Sequence, residues 1–197
     1  MFDEKFLQNV RKREFHSFED VSVVPSWTPE MQQSFKETDW QRVITLLDGH
    51  PSEKNEPRWD KLGYVLTSME NRAGLPYFAK QIIEQMASIF SQNNISCHMF
   101  GGFTNKSESF KIHRDAMDVL YLQLIGQVHW STYNAHNKSV AEPNIERKNA
   151  KLVYKQHFKP GRMYWVPRKR YHLVEPITSR AGFSFGVEGE PDPSTYV

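Results

Sequence analysis

The 197-residue chain has a single cysteine, Cys97, so no internal disulfide is open to it. A lone thiol fits a reducing compartment and denies the chain the paired thiolates that a structural zinc site commonly uses. Long apolar runs are missing as well. No stretch approaches the roughly 20 apolar residues that a membrane-spanning helix needs, and the segment from Met1 to Phe15 is charged throughout, without the apolar centre of a secretory signal. Nor does one sign of charge dominate. Lys and Arg number 25 against 23 Asp and Glu, a formal net charge of +2, too small to demand nucleic acid or a membrane surface as partner. The short basic runs Arg11 to Arg13 and Arg168 to Arg170 read as solvated faces. The expectation is a soluble, cytoplasmic protein with no membrane partner.

What the chain does have is aromatic bulk: 13% Phe, Trp and Tyr beside a lean 39% hydrophobic content, enough to fill a core with few residues. Its length is that of one domain. The spacing predicts two textures within it. Residues 1–95 read as helical decoration with the first strands. Phe2, Phe6, Leu7 and Val10 recur at helical spacing, Thr28-Pro29-Glu30 is a helix start, Trp40 to Leu47 reads as a further helix, and His50 to Arg58 is a polar loop with two prolines. Pro76 opens the clearest helix, with one apolar stripe through Tyr77, Phe78, Ile82, Ile83, Met86, Ile89 and Phe90.

Residues 96–188 change to short runs rich in Val, Ile, Leu, Tyr and Phe, separated by Gly, Asn and Pro, which indicates a β-sandwich or barrel. The fold class expected is mainly β with α: a double-stranded β-helix (jelly roll) core preceded by a helical N-terminal half. The polar, aperiodic stretch 134–151 reads as an insertion loop shaping the mouth of a pocket, and the tail from Glu188 as loose.

One string carries chemistry. In SFKIHRDAMDVLYLQLIGQVHW, His113 and Asp115 stand one residue apart in a strand-like context, and residues i and i+2 of a strand project from the same face. A third ligand is offered by His172 in KPGRMYWVPRKRYHLVEP. Two histidines and a carboxylate on one face of iron(II) leave three coordination positions open, enough for a chelating keto acid and oxygen. Asp118, of opposite parity to Asp115, does not reach the same ion. His16, His50, His98, His136 and His157 have no ligand spacing and read as surface or singly bonded side chains, while Trp130, Tyr164 and Trp165 read as core or pocket walls.

The region from about Phe100 to Val187 resembles the JmjC branch of the cupin superfamily, the iron(II)- and 2-oxoglutarate-dependent oxygenases. The pattern H-x-D followed by a strand, a Gly and a Trp is similar to His113 to Trp130. The pattern P-G-x-x-x-x-x-P-x-x-x-x-H is similar to Pro160 to His172. The resemblance implies iron ligands at His113, Asp115 and His172, and an amide near the keto acid at Gln123. Two departures stand out. The basic residue that anchors the far carboxylate of 2-oxoglutarate in the family falls on Val128, and the acid after Pro-Gly is Arg162. Since a buried dicarboxylate without a cation is costly, Arg180 is the first candidate for that role, with His129 and Tyr121 behind it.

The function so implied is that of a hydroxylase or demethylase. Two readings remain beside it: a cupin dioxygenase or isomerase that does not use 2-oxoglutarate, for which Val128 argues, and a non-catalytic cupin-like binding domain. The substrate, whether a protein side chain, a nucleotide or a small metabolite, is not written in these residues. Jelly-roll proteins often dimerise, so a homodimer is an open expectation.

Overall fold

A computed structural model describes residues 22–23, 29–38, 63–66, 75–90, 95–102, 104–107, 110–135 and 144–187. In chain order the elements are β1 (Ser22–Val23), α1 (Pro29–Glu37), β2 (Gly63–Leu66), α2 (Tyr77–Phe90), β3 (Ile95–Gly102), β4 (Asp118–Ile125), β5 (Val128–Ala135), a 3-10 turn (Arg147–Asn149), β6 (Ala150–Phe158), β7 (Arg162–Val166), β8 (Tyr171–Pro176) and β9 (Arg180–Val187).

Every strand pair is antiparallel. Six strands form one sheet in the order β1-β7-β4-β9-β3-β2, and three form a second in the order β6-β5-β8. On β4, every second residue faces α2. Leu120, Leu122 and Leu124 join Phe78, Ile82, Ile83 and Met86 of that helix in one core with Phe183 and Phe185 of β9. The intervening Val119 and Tyr121 turn the other way and pack with Val128, Trp130 and Phe158 of the small sheet and Tyr164 and Val166 of β7. The large sheet is therefore buried on both faces, which explains why β4 reads as a near-continuous apolar run. Two sheets face to face over this inner layer make the jelly roll.

The expected helices at Pro29 and Pro76 are present, while most of the expected helical N-terminal half lies outside the described residues. They contain two helices and two strands there, and β1 and β2 close the two edges of the large sheet. The expected helices at Phe2 to Val10 and Trp40 to Leu47, the loop His50 to Arg58 and the tail from Glu188 lie outside the described residues. The stretch expected to loop over 134–151 has strand at both ends, since β5 runs to Ala135 and β6 starts at Ala150. No described helix is long and apolar enough to cross a membrane.

A candidate metal centre between the sheets

In the stretch around His113 and Asp115, expected to be strand-like, only His113 holds ladder geometry. His113 forms isolated antiparallel bridges to His172 on one side and to Asn144 on the other. The two histidines exchange backbone hydrogen bonds, His113 N to His172 O at 3.0 Å and His172 N to His113 O at 2.7 Å. Residues paired in this way stand directly opposite one another with side chains on a common face, and the two imidazole centroids lie 4.3 Å apart. Asp115 follows in the turn beyond His113, its own carbonyl accepting from the Lys169 N–H at 2.9 Å.

The three side chains converge. His113 Nε2 stands 3.7 Å from Asp115 Oδ1, and His172 Nε2 3.7 Å from Asp115 Oδ2. One ligand atom from each lies within 4.8 Å of the others, and no second such His, Cys, Asp and Glu group forms among the described residues. Each ring is also oriented. Nδ1 of His113 bonds the Lys111 carbonyl at 2.9 Å, and Nδ1 of His172 bonds the Arg170 carbonyl at 3.0 Å. A carbonyl only accepts, so Nδ1 carries the proton in both rings and the Nε2 lone pairs are left for an ion. Burial, with His113 beside it, pushes the His172 imidazole down to about 4, against the opposing pull of the Asp115 carboxylate; the ring is thus neutral and ready to ligate at pH 7. Two imidazoles and a carboxyl side chain on one side of a cavity fit a facial iron(II) site. Trp130 stacks on His172 at 4.9 Å, and Phe110 packs beside His113 at 5.1 Å.

The ligands open on a cavity of about 240 Å³ whose wall also contains Tyr121, Trp130, Arg180 and Ser184. Arg180 is buried at the start of β9 and lines that wall. Tyr121 lines the same cavity with its phenol beside the guanidinium. Burial raises the Tyr121 pKa, the Arg180 cation pulls it back in part, and the side chain stays a neutral phenol able to donate. Tyr121 reaches this place because residue 182 is glycine: a Cβ there would stand 2.3 Å from Tyr121 Oη and 2.9 Å from the Leu122 carbonyl oxygen.

Two expected cofactor contacts are not brought to the cavity. Gln123 shares the parity of Tyr121 but sits at a β-bulge between Gln123 and Ile125, where its amide donates to the Ile125 and Gly126 carbonyls at 2.7 and 3.2 Å. His129 lies one residue from the inward Val128 and so faces outward, stacked on His157 at 5.6 Å. Val128 itself is fully buried in apolar contacts and offers no charge. Asp118 turns away from the metal ligands to receive the Arg168 backbone N–H and Nε at 2.8 and 3.0 Å. His98, read as a surface or singly bonded histidine, instead lines the cavity, opposite Ser184 in the β3–β9 register. The signal for it was its parity with Phe100, another lining residue, and that becomes readable only once the register is known.

A model of the JmjC domain matches residues 75–193. No curated protein sequence matches the chain. Among solved structures, Escherichia coli ycfD superposes with a TM-score of 0.54 at 12% identity, over 95% of this chain and 54% of that one. A cobalt and 2-oxoglutarate complex of YcfD, described as a ribosomal oxygenase from the same organism, gives 0.43 at 14% identity, over 58% and 30%. Hydroquinone 1,2-dioxygenase from Sphingomonas sp. TTNP3 gives 0.41 at 11%, over 52% and 65%. The chain thus spans at most about half the length of the ycfD structures it is compared with here. The domain match covers more than half of the 197 residues, and the chain belongs to the JmjC-domain family.

Proposed function

We propose that this protein is an iron(II)- and 2-oxoglutarate-dependent oxygenase that oxidises a C–H bond, acting as a hydroxylase or, on an N-methyl group, a demethylase. The observation that carries the reading is the convergence of His113, Asp115 and His172 on one wall of a cavity that also contains a buried arginine. Iron bound there supplies oxygen activation coupled to oxidative decarboxylation of the keto acid.

The chain's own residues do the rest. His113, Asp115 and His172 would hold the ion through two ring nitrogens and one carboxyl group at the wall of the cavity. Arg180 and Tyr121 take the far carboxylate of 2-oxoglutarate, a cation and a phenol donor replacing the basic residue that Val128 lacks. Charge-assisted bonds of this kind are the strong ones. Trp130, which lines the cavity and stacks on Phe158 at 4.9 Å, gives the cavity an aromatic wall.

The test is anaerobic calorimetry of 2-oxoglutarate with the Mn(II)-loaded protein, followed by aerobic succinate formation with iron(II). Binding that weakens about 10- to 100-fold in Arg180→Gln, the scale of losing hydrogen bonds to a charged group, supports the reading. Keto-acid binding that ignores Arg180, or no binding at all, counts against it and favours a cupin metalloenzyme without 2-oxoglutarate, the alternative to which the buried Val128 points.

A further inference from the structure

The ligand His113 has an unusual mooring. His172 sits within β8, paired to β5 along its length, and the Asp115 backbone is tethered by Lys169. His113, by contrast, belongs to no continuous strand and is held by single-residue bridges on either side. On the side away from His172 the mooring comes from the β5–β6 connection: His113 bridges Asn144, and Ile145 N–H donates to the Ile112 carbonyl at 3.1 Å.

The side chains tighten this contact. Ile112 and Ile145 are buried together with Tyr133, Tyr171 and Leu173. Tyr171 and Leu173 flank His172 on β8, and Tyr133 pairs with Tyr171 from β5. Residues on either side of His172 in a strand project to the opposite face from it, so this cluster sits behind the small sheet while the His172 ring lines the cavity. Ile112, one residue before His113, is drawn into the same cluster. Ile145 thereby sets the position of the Ile112–His113 backbone from behind, through one hydrogen bond and one buried contact. The bond from the His113 ring to the Lys111 carbonyl stays within the ligand segment and cannot fix where that segment lies.

We propose that Ile145 is a positioning residue for the metal ligand His113, so that residues 144–145, just ahead of β6, govern the geometry of the metal centre. The inference rests on the reading of His113, Asp115 and His172 as an ion site, and the test separates the two. Mn(II) affinity of the apo full chain is measured by calorimetry for wild type, Ile145→Ala, Ile145→Val and Ile83→Ala. Ile83 is buried in the α2 core on the far side of the large sheet, and its truncation controls for loss of packing alone. Visible absorption of the Co(II) forms reports ligand geometry independently of activity.

Displacement of a supporting group weakens metal sites about 10- to 100-fold. Ile145→Ala is expected to weaken Mn(II) binding by at least about 10-fold and to alter the Co(II) bands. Ile145→Val restores most of the affinity, and Ile83→Ala lowers thermal stability while leaving the affinity within about twofold, well inside that range. Equal losses in Ile145→Ala and Ile83→Ala, or unchanged affinity and spectrum in Ile145→Ala, overturn the proposal; should Ile145→Ala not fold, Ile145→Thr, which puts a hydroxyl into the buried contact, with an unshifted Co(II) spectrum and wild-type affinity does the same. Wild-type protein that takes up no Mn(II) overturns the metal reading and this one with it.

Discussion

His113 and His172 exchange both backbone hydrogen bonds, at 3.0 and 2.7 Å, so two imidazoles remote in sequence form a directly opposed antiparallel pair. Their convergence is a consequence of register. Asp115 completes the set from the adjoining turn, and its two oxygens reach one ring each.

Occupancy of such a site stabilises the fold by mass action. Mn(II) at about 100 times its dissociation constant should add about 2.7 kcal/mol to the wild type, a rise of several degrees in melting temperature. Replacing Asp115 with Ala removes the rise. Differential scanning fluorimetry with and without Mn(II) checks this.

The His172 imidazole carries a pH signature in the metal-free protein. Burial, with His113 nearby, holds it at about 4, whereas the unfolded chain binds that proton near 6.5. Between those values the unfolded state binds more protons, so acid favours unfolding. This contribution costs nothing above pH 6.5 and grows as pH falls from 6.5 toward 4. Chemical denaturation across that window should show stability declining toward acid in the wild type and declining less in His172→Asn.

Gly182 gives Tyr121 its place. A methyl at residue 182 would collide with Tyr121 Oη and with the Leu122 carbonyl, and the second contact is backbone, which does not yield cheaply. Gly182→Ala should cost about 1–3 kcal/mol, as overpacking does, and should weaken 2-oxoglutarate binding to the Mn(II) form because the phenol is displaced from Arg180. Urea denaturation and calorimetry measure the two effects separately.

The turn that delivers His172 depends on Asp118. Its carboxylate and the Arg168 guanidinium are both nearly buried, 3.0 Å apart, and the same carboxylate receives the Arg168 backbone N–H. Removing one member of a buried pair strands the other charge, so Asp118→Ala should lose about 3–5 kcal/mol. Urea denaturation of the metal-free protein reads it.

The candidate ligands were legible because His-x-Asp is a short-range pattern of residue types. What aligns them was not: Asp115 stands outside the strands, not on a strand face beside His113, and His172 meets His113 through register. The helix from Tyr77 to Phe90 was legible too, its apolar stripe being a one-element pattern. What was hidden depended on neighbours. Gln123 has inward parity, yet a bulge diverts its amide to carbonyls beside it. His98 faces the cavity because β3 pairs with β9, a fact absent from its own surroundings in sequence. β8 is a six-residue strand ending on Pro176 behind a basic turn, too short to announce itself. His129 follows an inward Val128, and adjacent residues of a strand point to opposite faces, so it turns outward.

The most direct test of the account is anaerobic calorimetric titration of the metal-free full chain with iron(II), comparing wild type and His172→Ala. The account predicts one ion per chain in the wild type, with affinity falling more than about 100-fold in the variant, beyond the loss expected from disturbing a supporting group. Absence of uptake by the wild type, or equal uptake by both, would contradict it.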